Sequence, residues 1–329
     1  MTNDELAPTS ARSVAAVVFN PVKVREAVLR AAVEAAEREH GWAPSLWFET
    51  GAADAGAAAA REAAAQHPDV ILVAGGDGTV RAVAEAMHAS GIPLALLPSG
   101  TGNLLARNLR LSLTDLPRAV RGAFAGVDRP LDVGFAATRT EDGVVTRRAF
   151  LVMAGIGLDA NMAANTSAEL KRRIGWGAYV DPIARSILGN AQFGLRYRID
   201  RGRSRSLRAH TIIVGNCGTL PGNILLLPDA VMDDGLLDVV AFRPTGAFGW
   251  MQIGSRLAAY SMFHRSTAGR QMLQRTPDLK QLAHVQAAEF EARFDEPQLL
   301  QLDGDTVGDV VGVALSVVHH GLTLRVPRG

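Results

Sequence analysis

Short apolar runs alternate with helix-like segments through the first 127 residues. The apolar runs predict four buried strands, at 14–19, 46–50, 70–73 and 93–98. The segments after them have helical spacing or a high alanine content and predict helices at 22–40, 52–66, 80–89, 104–109 and 113–126. Strands that alternate with helices pair in parallel, with helices on both faces of the sheet. The pattern therefore predicts a doubly wound α/β domain over residues 1–127.

The pattern changes near residue 128, where short strands follow one another with turn residues between them. The predicted strands are 129–135, 147–153, 193–200, 206–215, 236–243, 290–294, 299–303 and 313–318, and helical segments interrupt them near 160–188 and 245–273. Such a succession is typical of an antiparallel sandwich or barrel. We expect a mainly β, antiparallel sandwich domain over 128–312. A C-terminal return segment, 313–329, then ends in a strand at 322–326.

Composition narrows the class of protein. Of the 329 residues, 48% are hydrophobic and 20% are charged, as in packed globular proteins. The net charge of +1 gives no global attraction to nucleic acid or to an anionic membrane. The single cysteine, Cys217, excludes an internal disulfide and a cysteine-based zinc site. With no secretory signal and no apolar run of roughly 18–20 residues, we expect a cytoplasmic protein.

A glycine-rich turn, Gly75-Gly76-Asp77-Gly78-Thr79, follows the third predicted strand and opens a helix. Glycine lets the backbone approach a ligand closely, so that amide N–H groups and the positive helix end face an anion. A phosphate group fits this turn, with Asp77 holding Mg²⁺ or orienting a hydroxyl group. The alternative is a plain strand-to-helix turn in which Asp77 and Thr79 cap the helix. Neither the Walker A spacing nor the Rossmann spacing is present.

A second turn, Pro98-Ser99-Gly100-Thr101-Gly102-Asn103, follows the fourth predicted strand in the same way. Parallel strands end at one edge of the sheet, so both turns are expected at the edge where open α/β folds bind ligands. Thr101 and Asn103 then donate hydrogen bonds to phosphate or ribose. Helix capping is the alternative role for both residues.

The two turns resemble the diacylglycerol kinase catalytic family, which also contains sphingosine kinases, ceramide kinases and bacterial lipid kinases. Three later segments resemble the family as well, and they lie at 154–159, 228–238 and 302–305. The resemblance implies an N-terminal α/β nucleotide domain, a C-terminal β-sandwich and an active site in the cleft between them. It implies ATP as the phosphate donor and a lipid hydroxyl group as the acceptor.

The resemblance also implies roles for individual residues. Nucleotide contacts fall on Asn20, Thr50, Gly75, Gly76, Asp77, Gly78, Thr79, Gly100, Thr101 and Asn103. Asp303 and Asp305 fall on carboxylates that act as the base or organise Mg²⁺, together with Asp77. A structural Mg²⁺ of bacterial members falls on the Asp234 carboxylate and on the carbonyl groups of Val231 and Leu236, and oxygen ligands suit that ion. The alternative for 303–305 and for 233–235 is an ordinary turn without a ligand.

The chain departs from the family pattern at three places. Asp305 stands where the family usually has glutamate, which is longer by one methylene group. Arg81-Ala82 replaces a frequent Asn-Glu pair, and Asn103-Leu104-Leu105 replaces Asn-Asp-Phe. Outside the motifs, segment 247–275 mixes aromatic and basic residues and predicts either a membrane-surface helix or a core-packing helix. His210, His319 and His320 are interpreted as structural.

The leading hypothesis is a Mg²⁺-assisted, ATP-dependent lipid kinase that acts on diacylglycerol or a related lipid alcohol. Its partners are then a lipid substrate and, transiently, the inner face of the membrane, with no nucleic acid; a homodimer is left open. One rival is an NAD-kinase-like activity, because those kinases also carry Gly-Gly-Asp-Gly. The second turn, 98–103, argues against it. Another rival is a nucleotide- or lipid-binding regulator without turnover.

Overall fold

The structure is a computed structural model that describes residues 12–51, 54–157, 192–220, 224–227, 229–244, 249, 252, 255 and 282–328. The helical segment predicted near 160–188 lies outside these residues, as does nearly all of the segment 245–275. The chain forms two compact units. The first unit comprises Met1–Gly100, Ser112–Arg129 and Thr323–Gly329, and the second comprises Thr101–Leu111 and Pro130–Leu322. The domain bounds at 127 and 312 stay a prediction.

The first unit is built on a parallel sheet. Its strands are β1 (Ala15–Phe19), β2 (Leu46–Glu49), β3 (Val70–Gly75) and β4 (Leu94–Pro98), in the order β2-β1-β3-β4. Every residue of β1 and β3 is buried, as expected for central strands that are covered on both faces. The last residues of the chain add a further parallel contact, in which Leu324 pairs with Leu94.

Helices cover both faces of this sheet. They are α1 (Glu26–His40), α2 (Ala57–Ala64), α3 (Asp77–Met87) and α5 (Leu116–Ala125). Contacts pair α1 with α5 and α2 with α3. Helix α1 buries Leu29, Val33 and Ala36, one stripe of a 3.6-residue period. It ends at Gly41, which takes the left-handed conformation (φ 69°) that favours glycine after a helix.

The second unit is mostly antiparallel. Its elements are α4 (Leu104–Asn108), β5 (Val127–Arg139), β6 (Val145–Phe150), β7 (Met153–Ile156), β8 (Phe193–Ile199), β9 (Arg205–Ala209), β10 (Thr211–Gly215), β11 (Thr219–Leu220), β12 (Ile224–Leu225), β13 (Leu237–Phe242), β14 (Leu282–Ala287), β15 (Glu289–Leu302) and β16 (Asp305–Val326). A series of antiparallel pairs runs in the order β14-β13-β10-β7-β15-β16. The predicted fold class, α/β followed by mainly antiparallel β, is confirmed.

Two predicted breaks are absent. The runs predicted at 290–294 and 299–303 form one strand, β15, whose register shifts between Arg293 and Gln298. This irregularity lets β15 pair with β8 before it and with β7 after it. The runs predicted at 313–318 and 322–326 likewise form one strand, β16, which reaches Val326 and contributes its last residues to the first unit. Strand β14 was not predicted. Among the described residues, no helix is long and apolar enough to cross a membrane.

Candidate active site

The first glycine-rich turn packs directly against residues 98–100, the part of the second turn that belongs to the first unit. The backbone N–H of Ser99 donates to the carbonyl oxygen of Gly75 at 3.1 Å. A Cβ atom added to Gly76 would lie 3.6 Å from the Cα atom of Gly100, an ordinary van der Waals contact. The structure thus brings 75–79 and 98–100 together at the carboxyl edge of β3 and β4, as their parallel pairing requires.

Helix α3 begins at Asp77, three residues earlier than a cap at Thr79 would require. Its N-cap residue is Gly76, and no side chain accepts a hydrogen bond there. The prediction that Thr79 caps the helix is therefore wrong. Thr79 is instead buried, and a Cβ atom on Gly75 would lie only 2.6 Å from its Cβ atom. The first N–H groups of a helix have no partner inside the helix, so this end suits an anion.

Asn20 and Thr50 lie at the same edge of the sheet, after β1 and β2. The N–H of Asn20 donates to Ala74 at 2.9 Å, and the N–H of Thr50 donates to Phe19 at 2.9 Å. The strand order reverses between β1 and β3, because β2 lies on one side of β1 and β3 on the other. A crevice at such a reversal is the usual ligand site of an open α/β sheet.

A cavity of about 420 Å³ opens beside this edge within the first unit. Its lining includes Lys23, Arg25, Pro98, Ser99 and Thr114. The two cationic side chains border the residues that form the second glycine-rich turn. Lys23 is one of only three lysines in the chain and was not among the predicted site residues. Lys23 follows Asn20, a predicted nucleotide contact, by three residues, and this proximity was the available signal for a role in the site.

Thr101 and Asn103, the remaining polar members of the second turn, belong to the second unit. Thr101 is exposed and Asn103 is buried. Asn103 has a positive φ of 49° and is the N-cap residue of α4, but its side chain makes no capping hydrogen bond. Capping by the Asn103 side chain, the alternative role, is thus absent.

The Asp303 carboxylate is buried and heavily hydrogen-bonded. One oxygen accepts the N–H groups of Val152 at 2.8 Å and Met153 at 3.0 Å, and the other accepts the N–H of Leu151 at 2.9 Å. The Asp303 N–H donates in return to the carbonyl of Met153 at 2.9 Å. These bonds join the β15–β16 turn to the segment between β6 and β7.

The β15–β16 connection is a two-residue hairpin turn. Asp303 (φ 50°) and Gly304 (φ 87°) both have positive φ, as a type I′ turn requires, and Leu302 pairs with Asp305 across it. Asp305 is exposed at the start of β16. The hairpin turn thus lies within the predicted functional motif, 303–305, and the two carboxylates of the motif differ in environment.

Cys217 lies close to this turn and is buried. Burial, and then the negative charge of Asp303, raise the pKa of its thiol far above the ordinary value. Its Sγ atom lies 3.5 Å from the Leu151 carbonyl oxygen, within reach of a weak S–H hydrogen bond. The thiol therefore stays protonated in the folded protein.

The predicted magnesium loop is exposed. Asp234 is exposed, and one of its carboxylate oxygens accepts the Leu236 N–H at 3.0 Å. Gly235 between them has φ 77°, and Val231 is 47% exposed. One Asp234 oxygen and backbone carbonyl groups are donors that suit Mg²⁺. Leu158, Asp159 and Pro228, which complete the family-like segments, lie outside the described residues.

Family models match both parts of the chain. The diacylglycerol kinase catalytic domain matches residues 15–136, and the YegS C-terminal NAD kinase beta sandwich-like domain matches residues 151–324. The second match alone spans more than half of the chain.

Individual proteins agree with the family models. A Pseudomonas fluorescens (strain Pf0-1) protein named "Probable lipid kinase YegS-like" is 33% identical over 70% of this chain and 71% of that protein. A Bacillus subtilis (strain 168) diacylglycerol kinase is 23% identical over 93% and 94% of the two chains. A crystal structure of a diacylglycerol kinase from Bacillus anthracis str. Sterne has a TM-score of 0.65 at 19% identity, over 97% and 98% of the chains, and so shares the fold. The chain spans half the length of one curated relative and 94% of another.

Proposed function

The chain belongs to the family of lipid kinases that carry a diacylglycerol kinase catalytic domain, and from this membership we propose that it transfers the γ-phosphate of ATP to a hydroxyl group of diacylglycerol or a related lipid alcohol. The observation that carries the proposal is the direct packing of the two glycine-rich turns, with Ser99 donating to Gly75 at 3.1 Å. Two adjacent turns of this kind offer successive backbone N–H groups to a chain of phosphates.

In this proposal the first unit holds the nucleotide. The phosphates lie against 75–79 and the start of α3, where helix-end N–H groups and the helix dipole favour negative charge. Lys23 and Arg25 balance further phosphate charge from the adjacent cavity. Asn20 and Thr50, at the ends of neighbouring strands, bind the rest of the nucleotide. Thr101 and Asn103 are further proposed nucleotide contacts.

Magnesium is the proposed metal of the reaction. When bound, Mg²⁺ neutralises charge on the phosphate oxygens during transfer. Asp77 would hold it, because this carboxylate lies in the first turn of α3 beside the glycine-rich turn. For the second, structural Mg²⁺, the proposed ligands are the Asp234 carboxylate and the carbonyl groups of Val231 and Leu236, all oxygen donors.

Asp305 is the proposed general base. It takes the proton of the lipid hydroxyl group as that oxygen forms a bond to the γ-phosphorus, while the bond from phosphorus to the ADP oxygen breaks and ADP leaves with the electron pair. Asp303 is less suited to this role, because both of its oxygens already accept backbone N–H groups. We assign Asp303 as the positioning residue that fixes the turn carrying Asp305.

A lipid acceptor implies transient contact with a membrane surface. The segment that the sequence offers for this contact, 247–275, lies almost entirely outside the described residues. Membrane contact and a homodimer therefore stay predictions. The near balance of charge, +1 overall, supports a partner other than nucleic acid.

The proposal is tested by incubating the purified full chain with Mg²⁺ and γ-labelled ATP. The acceptors are diacylglycerol, monoacylglycerol, sphingosine, ceramide and phosphatidylglycerol in mixed micelles, with NAD as a separate acceptor. Label on a lipid supports the proposal and identifies the acceptor. This labelling should be absent with the Asp305→Asn variant and retained with Asp309→Asn. Label on NAD alone contradicts it. Bound ATP without label on any acceptor favours the regulator instead.

A further inference from the structure

A buried carboxylate of the second unit meets two histidines that the kinase proposal does not use. Asp132, on β5, is fully buried. One of its oxygens accepts from the Nδ1 atom of His319 at 3.0 Å and from the backbone N–H of His320 at 2.7 Å. The other oxygen accepts the N–H of Gly235 at 2.6 Å. Both histidine side chains are exposed, so solvent reaches the group from one side.

The backbone bends to bring the two imidazole rings together. Successive residues of a strand point to opposite faces of the sheet, so consecutive histidines on β16 would ordinarily be far apart. His320 has a φ of 50°, a left-handed conformation that is uncommon for residues other than glycine. The ring centroids of His319 and His320 lie 3.7 Å apart. Strained backbone of this kind is characteristic of sites where side chains must converge.

We propose that Asp132, His319 and His320 form a binding site for a divalent transition-metal ion such as Zn²⁺. One ligand atom from each residue lies within 4.8 Å of the other two. Metal–ligand distances of about 2.0–2.2 Å place adjacent ligand atoms roughly 2.8–3.1 Å apart in an octahedral site and roughly 3.3–3.6 Å apart in a tetrahedral one. The 3.0 Å between His319 Nδ1 and the Asp132 oxygen falls in the octahedral range and is slightly short of the tetrahedral one. The proposed site requires the His320 ring, which is exposed, to approach the other two ligand atoms further.

The surroundings of Asp132 hold its carboxylate in place for a metal. Its backbone N–H donates to the Met232 carbonyl at 2.8 Å, and its carbonyl oxygen accepts from the Asn216 side chain at 2.8 Å. Together with the bonds from Gly235 and His320, these contacts orient the carboxylate, as supporting hydrogen bonds do around metal ligands. In the proposed site the ion would lie between the Asp132 oxygen and the Nδ1 atom of His319, in place of their hydrogen bond.

This site adjoins the magnesium loop at Asp234, since the Gly235 N–H donates to Asp132, but its donor atoms differ. Nitrogen donors suit zinc, copper, nickel and iron, whereas Mg²⁺ prefers oxygen ligands and retains its waters. Two imidazoles and one carboxylate leave a further position for water, which matches an open zinc site. The inference does not rest on the proposed kinase function, because none of the three residues belongs to the nucleotide turns or to the Asp303–Asp305 turn.

The test is isothermal titration of the chelator-treated full chain with Zn²⁺ in a buffer that contains millimolar Mg²⁺. We expect the wild type to bind one Zn²⁺ ion. The His319→Gln, His320→Asn double variant should lose this binding. Asparagine at 320 keeps a side chain that tolerates positive φ. Affinity should fall by at least about tenfold, since removing a direct ligand has no smaller effect than removing its hydrogen-bond partner.

His284→Gln is the matched control, because His284 contacts a buried carboxylate, Asp238, at 2.7 Å as a single histidine. Zinc binding in this variant should equal that of the wild type. Melting curves in chelator verify that both variants fold, and Co²⁺ should give visible absorption bands with the wild type and the control only. The proposal is overturned if the wild type binds no Zn²⁺, or if a folded double variant binds as tightly as the wild type.

Discussion

The Asp303 carboxylate accepts the backbone N–H of Val152 at 2.8 Å, across 151 residues of sequence. With the bonds to Leu151 and Met153, it ties the β15–β16 turn to the segment before β7. The Asp303 carboxylate, with both oxygens hydrogen-bonded, holds the backbone at 151–153 in place. Asp305, two residues later, is exposed. The two acidic residues of this turn therefore differ in environment, and the proposal gives Asp303 a positioning role and Asp305 the role of general base.

Asp303→Asn should destabilise the protein. The amide group replaces one acceptor oxygen with a donor that faces backbone N–H groups, and hydrogen bonds to a charged group contribute about 1.5–3 kcal/mol each. We expect a loss of roughly 2–3 kcal/mol in the free energy of unfolding, seen as a lower melting temperature by calorimetry. Asp309→Asn, an exposed change on β16, should leave the melting temperature unchanged. Equal stability of the two variants would contradict the positioning role.

Asp305→Asn should keep the melting temperature and lose turnover. Its side chain is exposed, so stability depends little on the carboxylate. If it is the base, kcat for lipid phosphorylation should fall by about 10²–10⁴-fold, the usual contribution of a general base. Steady-state kinetics with a saturating lipid acceptor measure this, with Asp309→Asn again as the control. Full turnover by Asp305→Asn would remove it from the reaction.

Gly75→Ala should lower stability, whereas Gly76→Ala should weaken ATP binding. A methyl group at Gly75 meets the Thr79 Cβ atom at 2.6 Å, and such overpacking destabilises by about 1–3 kcal/mol. At Gly76 the nearest atom is the Gly100 Cα at 3.6 Å, and φ is −91°, so alanine fits without strain. It fills the space between the turns, and KM for ATP should rise at least about tenfold with little loss of stability. Unchanged KM in Gly76→Ala would argue against phosphate at this contact.

Lys23→Gln should weaken ATP binding without unfolding the protein. Lys23 is exposed at the cavity beside the second turn, and a charge-assisted contact to phosphate is roughly twice as strong as a neutral one. We expect KM for ATP to rise about tenfold while kcat changes less, measured by ADP release. Arg38→Gln removes the same charge from an exposed position in the last turn of α1 and should have no effect. A matching rise in Arg38→Gln would indicate a general charge effect.

Cys217 should be inert in the folded protein, because burial raises the pKa of its thiol above the ordinary value of 9.0. A thiol reagent at pH 8 should label it only after unfolding. Below pH 9 the thiol is protonated in both states. Above pH 9 the Cys217 thiol ionises only in the unfolded chain. The free energy of unfolding of the wild type should therefore fall relative to that of Cys217→Ala. Urea unfolding of both proteins at pH 7 and pH 10 measures this difference, and a constant difference would contradict it.

The sequence by itself determined the fold class and the two glycine-rich turns. Local periodicity and turn chemistry predict the succession of β1 to β4 along the chain and the helices between them. They also predict the two turns at one edge of the sheet. Asp303-Gly304 likewise shows its hairpin turn in the sequence. These features depend on residues close together along the chain, so a single sequence is enough to predict them.

Only the tertiary structure decided which side chains meet. The burial of Asp303 depends on N–H groups about 150 residues away, and the meeting of His319 with Asp132 spans 187 residues. Thr79 turned inward against Gly75 rather than capping α3, because the tight turn leaves its side chain buried. Side-chain direction and long-range contact arise from packing, which local patterns do not encode. For that reason the sequence motifs identified candidate residues, whereas their burial and hydrogen bonds were visible only in the tertiary structure.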